Sequence, residues 1–206
     1  MLCLACADRR GSPLCLPCTS DVKPVPPLVL PSGLVLSAAH RHTGPARRLI
    51  HRLKYQGLVP AARLLAASMV PLLRADTSAL VPIPRARLRK VQYGVDPAVV
   101  LARELSRLAG VPMVRALRAG VWWPQHAGHN RNAGRARFRQ VTSVPDAAVV
   151  VDDVATTGRT VEAAVLSIDT AIWHGIAATS PGRVMVEGPG PDPEARETAW
   201  RHDRTG

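Results

Sequence analysis

The sequence predicts an α/β protein, a parallel sheet flanked by helices, carrying a small cysteine-rich module at its N-terminus. Three observations lead there. The β-branched run Val149-Val150-Val151 is apolar without alternation, as in a strand buried on both faces of a parallel sheet. It ends in Asp152-Asp153 and a small polar loop, and the segment that follows repeats apolar residues at helical spacing (Val161, Ala164, Val165, Ile168). Upstream, short apolar runs alternate with amphipathic segments, the pattern of βα units. Finally, all four cysteines lie in the first 18 residues, as Cys3, Cys6, Cys15 and Cys18.

Those cysteines form a C-x2-C-x8-C-x2-C array. Two such knuckles supply four thiolates to one tetrahedral Zn²⁺, so a structural zinc ribbon is the first reading; two disulfides are the other. Disulfides call for an oxidising compartment, and no export signal precedes the array. Four protein ligands close a zinc site, which then folds a module and performs no chemistry. From Asp21 to Pro31 come Pro24, Pro26, Pro27 and Pro31, an extended connector. Residues 1–31 are therefore read as a ribbon plus connector, residues 32–187 as the main domain and residues 188–206 as a tail of disordered composition.

In the main domain, Leu34 to Ala39 reads as a strand and Gly44 to Tyr55 as a helix, with Leu49, Ile50 and Leu53 inward and Arg47, Arg48, Arg52 and Lys54 outward. Gly57 stops it. Pro60 to Arg74 reads as a second helix with Leu64, Leu65, Met69 and Leu72 as its apolar set. Leu80 to Pro84 is a core strand leading into the basic loop Arg85, Arg87, Arg89, Lys90. Asp96-Pro97 opens a helix, with Asp as N-cap and Pro at the first position; its inward set is Val95, Val99, Ala102, Leu105 and Leu108-Ala109, and Gly110 ends it. Val111 to Leu117 fits a strand. Gly120 to Arg139 is basic, Gly-punctuated and irregular, with Trp122-Trp123, Gln125, His126, His129, Asn130 and Arg131; long polar loops between core strands serve as lids over sites. A last strand is placed at Arg183 to Val186.

Hydrophobic residues make up 47% of the 206 and aromatic residues 3%, a globular core built from Ala, Val and Leu. No apolar run approaches the roughly 20 residues of a membrane-spanning helix, and the N-terminus lacks the apolar stretch of a signal peptide, so a cytoplasmic protein without membrane insertion is expected. The net charge of +12 suits phosphate-rich partners; a solvated Arg-rich surface has the same composition.

The segment Val149 to Thr160 (VVVDDVATTGRT) concentrates the chemistry. Strand, polar loop and helix start bring backbone N–H groups together on an anion. Thr156, Thr157 and Thr160 add hydroxyl donors, Gly158 permits close approach of the backbone, and a phosphate is the natural occupant. Asp152 and Asp153 sit at the carboxyl end of the strand, where such sheets place ligands; a sugar diol and a divalent cation together would satisfy both acids. A buried strand ending in a turn that caps the next helix is the plainer reading.

This segment resembles the phosphoribosyl pyrophosphate (PRPP) signature of type I phosphoribosyltransferases. The cysteine array, Leu53-Lys54-Tyr55-Gln56-Gly57, Val81-Pro82-Ile83-Pro84 and Gln125…Asn130-Arg131-Asn132…Phe138 together resemble the ComF family, amidophosphoribosyltransferase-like proteins associated with DNA uptake during competence. The resemblance implies a type I phosphoribosyltransferase fold with a zinc ribbon. Asp152 and Asp153 would bind the ribose hydroxyls and help hold Mg²⁺, residues 155–160 the 5-phosphate, and Arg87 and Arg89 the pyrophosphate side. It implies transfer of a phosphoribosyl group between PRPP, or a nucleotide, and a nitrogenous acceptor, in a protein that pairs as a homodimer. Tyr93 to Pro97 and Ile168 to Gly175 depart from the family pattern. A non-catalytic protein of the same fold, binding single-stranded DNA or competence proteins through its basic loops, is the alternative.

Overall fold

The structure, a computed structural model, describes residues 2–8, 13–85, 94–120 and 138–182. Arg87, Arg89, Lys90, most of the Gly120–Arg139 segment, the expected strand Arg183–Val186 and the tail lie outside them. The elements are α1 (Leu16–Ser20), β1 (Leu28–Val29), β2 (Val35–Arg41), α2 (Gly44–Gln56), α3 (Val59–Met69), a 3₁₀ turn (Val70–Leu72), β3 (Leu80–Pro82), α4 (Pro97–Ala109), β4 (Leu117–Ala119), β5 (Phe138–Gln140), β6 (Val149–Val154), α5 (Arg159–Val165) and β7 (His174–Ser180).

The main sheet runs β1-β2-β7-β6-β3. Strands β2, β7, β6 and β3 are parallel and β1 is an antiparallel edge. Alternate strand residues face opposite sides, as the pleat requires. Leu80, Val149, Val151, Ile176 and Ala178 join one core with Leu49, Leu53, Leu65, Met69, Leu101 and Leu105 of α2, α3 and α4. Val81, Val150 and Ala177 join a second core with Leu36, Val161, Val165 and Ile168. Helices therefore cover both faces, and four parallel strands send their carboxyl ends to one edge.

Several sequence expectations are corrected. The second helix stops at Met69 because Pro71 has no N–H to continue the ladder, leaving one 3₁₀ turn. On α4, Leu108 is exposed and Glu104 is buried in its place, paired with Arg107 (Nη1–Oε1 2.8 Å) and Arg63 (3.8 Å). The stretch Val111–Leu117 is no core strand. It makes one parallel bridge, Met113 beside Leu80, and the strand that follows, β4, pairs with β5 in a separate antiparallel sheet. The strand completing the main sheet is β7, inserted between β2 and β6. Its sequence, HGIAATS, offers one β-branched aliphatic residue, so the apolar-run criterion passes it by. Within the proline-rich connector, Leu28 and Val29 pair with Leu36 and Val35, so the connector is extended and adds an edge to the sheet.

Candidate functional site

Asp152 and Asp153 lie near the carboxyl end of β6, on the wall of a cleft formed with Lys54, Ile83, Pro84, Arg85, Asp96 and Thr160. Register explains the placement: Asp152 is opposite Ala177 and Val154 opposite Thr179, so the pair is still inside the sheet when β6 ends. The Asp153 N–H donates to Asp152 Oδ1 (2.8 Å). Burial, and then the neighbouring Asp153 charge, push the Asp152 carboxyl up to about 7 against the opposing pull of that hydrogen bond and of Lys54. Asp153 has a direct counter-charge, Lys54 Nζ, 3.0 Å from its Oδ1.

Lys54 was expected to point outward; it lies in the last turn of α2 and turns into the cleft. Helical periodicity places residue 54 beside the buried Leu53 and Ile50 stripe, and a long stem carries its charge around to the sheet edge. Asp96 was expected to cap α4 with its side chain. It makes no such bond; its Oδ2 accepts the Arg85 backbone N–H (3.2 Å). Arg85 donates from Nη1 to the Val95 carbonyl (3.4 Å). His42, just beyond β2, bonds Thr179 Oγ1 through Nδ1 (2.8 Å), and burial followed by the Lys54 and Arg47 charges holds its pKa below the usual value. Sequence reasoning missed Lys54 and Asp96 as cleft residues, and His42 as a neighbour of the Lys54 and Asp153 charges. The Leu-Lys-Tyr-Gln-Gly run that ends α2 was the available signal for the first.

The loop expected to cradle an anion follows directly. Ala155 and Gly158 are buried, Thr160 is half-buried, and Thr156, Thr157 and Arg159 are exposed. The Ala155 N–H donates to Thr179 O (3.0 Å), anchoring the loop to β7. Gly158 has φ +75° and precedes α5; a Cβ there would run into the Leu30 side chain. Glycine at this position thus answers a packing demand from the connector as well as a left-handed backbone. Glu162 accepts the Ser32 N–H (3.4 Å). Arg87 and Arg89 lie outside the described residues; of the basic loop, Arg85 lines the cleft.

The four cysteines meet as expected. Cys3, Cys6, Cys15 and Cys18 have ligand atoms all within 4.8 Å of one another, and Cys6 and Cys15 Sγ are 3.8 Å apart. Thiolates about 2.3 Å from a tetrahedral Zn²⁺ are ~3.8 Å apart, so the cluster could hold a metal ion such as zinc. No disulfide joins these cysteines, which sets aside the disulfide alternative in this structure. Burial raises the Cys3 thiol, but backbone N–H groups of Cys6, Cys15 and Ala5 outweigh it and bring it down to about 6. Burial and the neighbouring thiols push Cys18 up to about 12, with the Arg48 guanidinium opposing at 3.7 Å. Bringing four sulfurs this close disfavours ionising all of them, and a divalent cation removes that repulsion by binding the thiolate forms. Cys3, Cys15 and Cys18 belong to the same core as Leu49 and Leu53, so the module packs against α2. Among the described residues this is the convergent metal-ligand set; the cleft carboxylates do not form a comparable cage.

No helix among the described residues is long and apolar enough to cross a membrane. The chain matches no protein-family model, and a search of the curated proteins finds no match to it.

Proposed function

We propose that this chain is a ComF-like phosphoribosyltransferase of type I fold, binding PRPP with Mg²⁺ in the Asp152–Asp153 cleft and transferring its phosphoribosyl group to or from a nitrogenous acceptor. The observation that carries the reading is the acid pair at the carboxyl end of a parallel strand, inside a cleft, followed at once by the Thr156–Thr160 loop that opens α5. In this reading Asp152 and Asp153 accept the ribose hydroxyls. The threonine hydroxyls and loop N–H groups hold the 5-phosphate. Arg85 and Lys54 supply positive charge on the side where pyrophosphate would lie. Mg²⁺, when bound, neutralises the pyrophosphate, and two carboxylates plus substrate oxygens and water suit its preference for an incomplete protein shell. Displacement breaks the anomeric C–O bond and forms a C–N bond to the acceptor, so no side chain has to act as nucleophile. The absence of a cysteine outside the cluster is consistent with this.

Calorimetric titration of the zinc-loaded protein with PRPP tests the reading. Binding that needs Mg²⁺ and is lost in Asp152→Asn/Asp153→Asn is the expected result; no binding by the folded protein refutes it. The net charge of +12 favours a second role, binding single-stranded DNA or competence proteins without turnover. Salt-dependent DNA affinity indifferent to the acid-pair variant would support that role.

A further inference from the structure

The Lys54–Asp153 pair has features that a merely structural ion pair does not need. It lies within the cleft, at 3.0 Å, with the two side chains only 21% and 13% exposed. Its two halves differ in freedom. Asp153 is fixed: β6 pairs with β7 on either side of it, Ala155 N–H bonds Thr179 O (3.0 Å), and Thr179 Oγ1 donates to the Asp153 carbonyl (3.4 Å). The Lys54 backbone is anchored by the fully buried Leu53, but its ammonium sits on a flexible four-carbon stem and carries three donors. Around them stand Asp152 and Asp96 as further acids and, among the described residues, Arg85 as the other cation lining the cleft; His42 is near enough to feel the Lys54 and Asp153 charges. Lys54 is therefore the movable charge in a fixed acidic wall.

We propose that Lys54 is a displaceable counter-ion: it occupies the divalent cation's place at Asp153 until a phosphate-bearing ligand draws it away, so that metal and ligand enter together. The identity of that ligand rests on the phosphoribosyl reading; the displacement does not. Without Lys54, the acids Asp96, Asp152 and Asp153 face Arg85 as the remaining lysine or arginine among the described lining residues. A bare divalent cation then binds more tightly, because it no longer displaces an ammonium. A polyphosphate binds more weakly, because it meets the same carboxylates with one cation fewer. One substitution thus moves two affinities in opposite directions, which loss of packing cannot do.

The test uses the full zinc-loaded chain and Lys54→Met, with Mn²⁺ alone followed by electron paramagnetic resonance, and inorganic pyrophosphate in Mg²⁺ followed by calorimetry. Lys54→Met should bind Mn²⁺ about tenfold more tightly and pyrophosphate about tenfold more weakly, the scale of one charge-assisted contact. Lys54→Arg, which keeps the charge, should stay close to the parent in both. Affinities that fall together, or that do not move, overturn the proposal; if Lys54→Met fails to fold, Lys54→Gln is judged by the same two titrations. A parent that binds Mg²⁺-pyrophosphate but not PRPP removes the sugar reading and leaves Lys54's role standing. PRPP binding with both Lys54→Met affinities falling removes the role alone.

Discussion

Replacing Asp152 by Asn should stabilise the metal-free protein, and by an amount that depends on pH. In the fold, burial and the adjacent Asp153 raise the Asp152 carboxyl from 3.8 to about 7. A carboxyl whose folded pKa lies above its unfolded one contributes its full share of stability below the unfolded pKa, and that share is lost as pH rises through the folded one. The window is therefore about pH 4 to 7. Three pH units at ~1.4 kcal/mol each give about 4 kcal/mol as the ceiling at pH 8. Asparagine is nearly isosteric and its Oδ1 can still accept the Asp153 N–H, so the hydrogen bond at 2.8 Å survives and the charge does not. Urea unfolding of parent and variant from pH 4 to 8, without divalent cations, measures this. The variant should gain roughly 2–4 kcal/mol at pH 8, shrinking toward zero near pH 4. A stability difference that is flat with pH, or a variant weaker at pH 8, refutes the reasoning.

Gly158→Ala should cost about 2–4 kcal/mol, part from a left-handed φ and part from collision with Leu30. In a Leu30→Ala background only the backbone part, about 1 kcal/mol, should remain; an unchanged cost in that background contradicts the packing role of the glycine. Zinc-loaded protein should shield all of Cys3, Cys6, Cys15 and Cys18 from a thiol reagent, and stripping the metal should release one Zn²⁺ and lower Tm, since three of these residues belong to the α2–α3 core. Rapid labelling of the metal-loaded protein at unchanged Tm would speak against a structural site. His174 is half-buried, its Nε2 has no hydrogen-bond partner among the described residues, and burial holds its pKa below 6.5. The stability it contributes above pH 6.5 is lost as pH falls below that value, so His174→Leu should flatten the unfolding free energy between pH 7 and 5; an unaltered slope rejects this.

Local physics suffices for much of this protein. The cysteine array determines its own clustering, because knuckles of fixed short span bring paired thiols together whatever lies around them. The run Val149–Val151 is apolar on both faces and so had to be a buried strand, and the acids that end it had to emerge at a sheet edge. Gly57 and Gly110 end helices because the left-handed cap they adopt is cheap only for glycine. Other features depend on residues far apart in the chain. β7 is a strand because it fills the space between β2 and β6 with small residues; its own composition has little β preference. Gly158 owes its constraint to Leu30, from the connector. Lys54 reads as one more surface cation on α2 until the sheet carries Asp153 to within 3.0 Å of it. Periodicity records which way a side chain leaves its helix; which charge it meets is decided by parallel strands ending at a common edge, and that is a property of the assembled sheet alone.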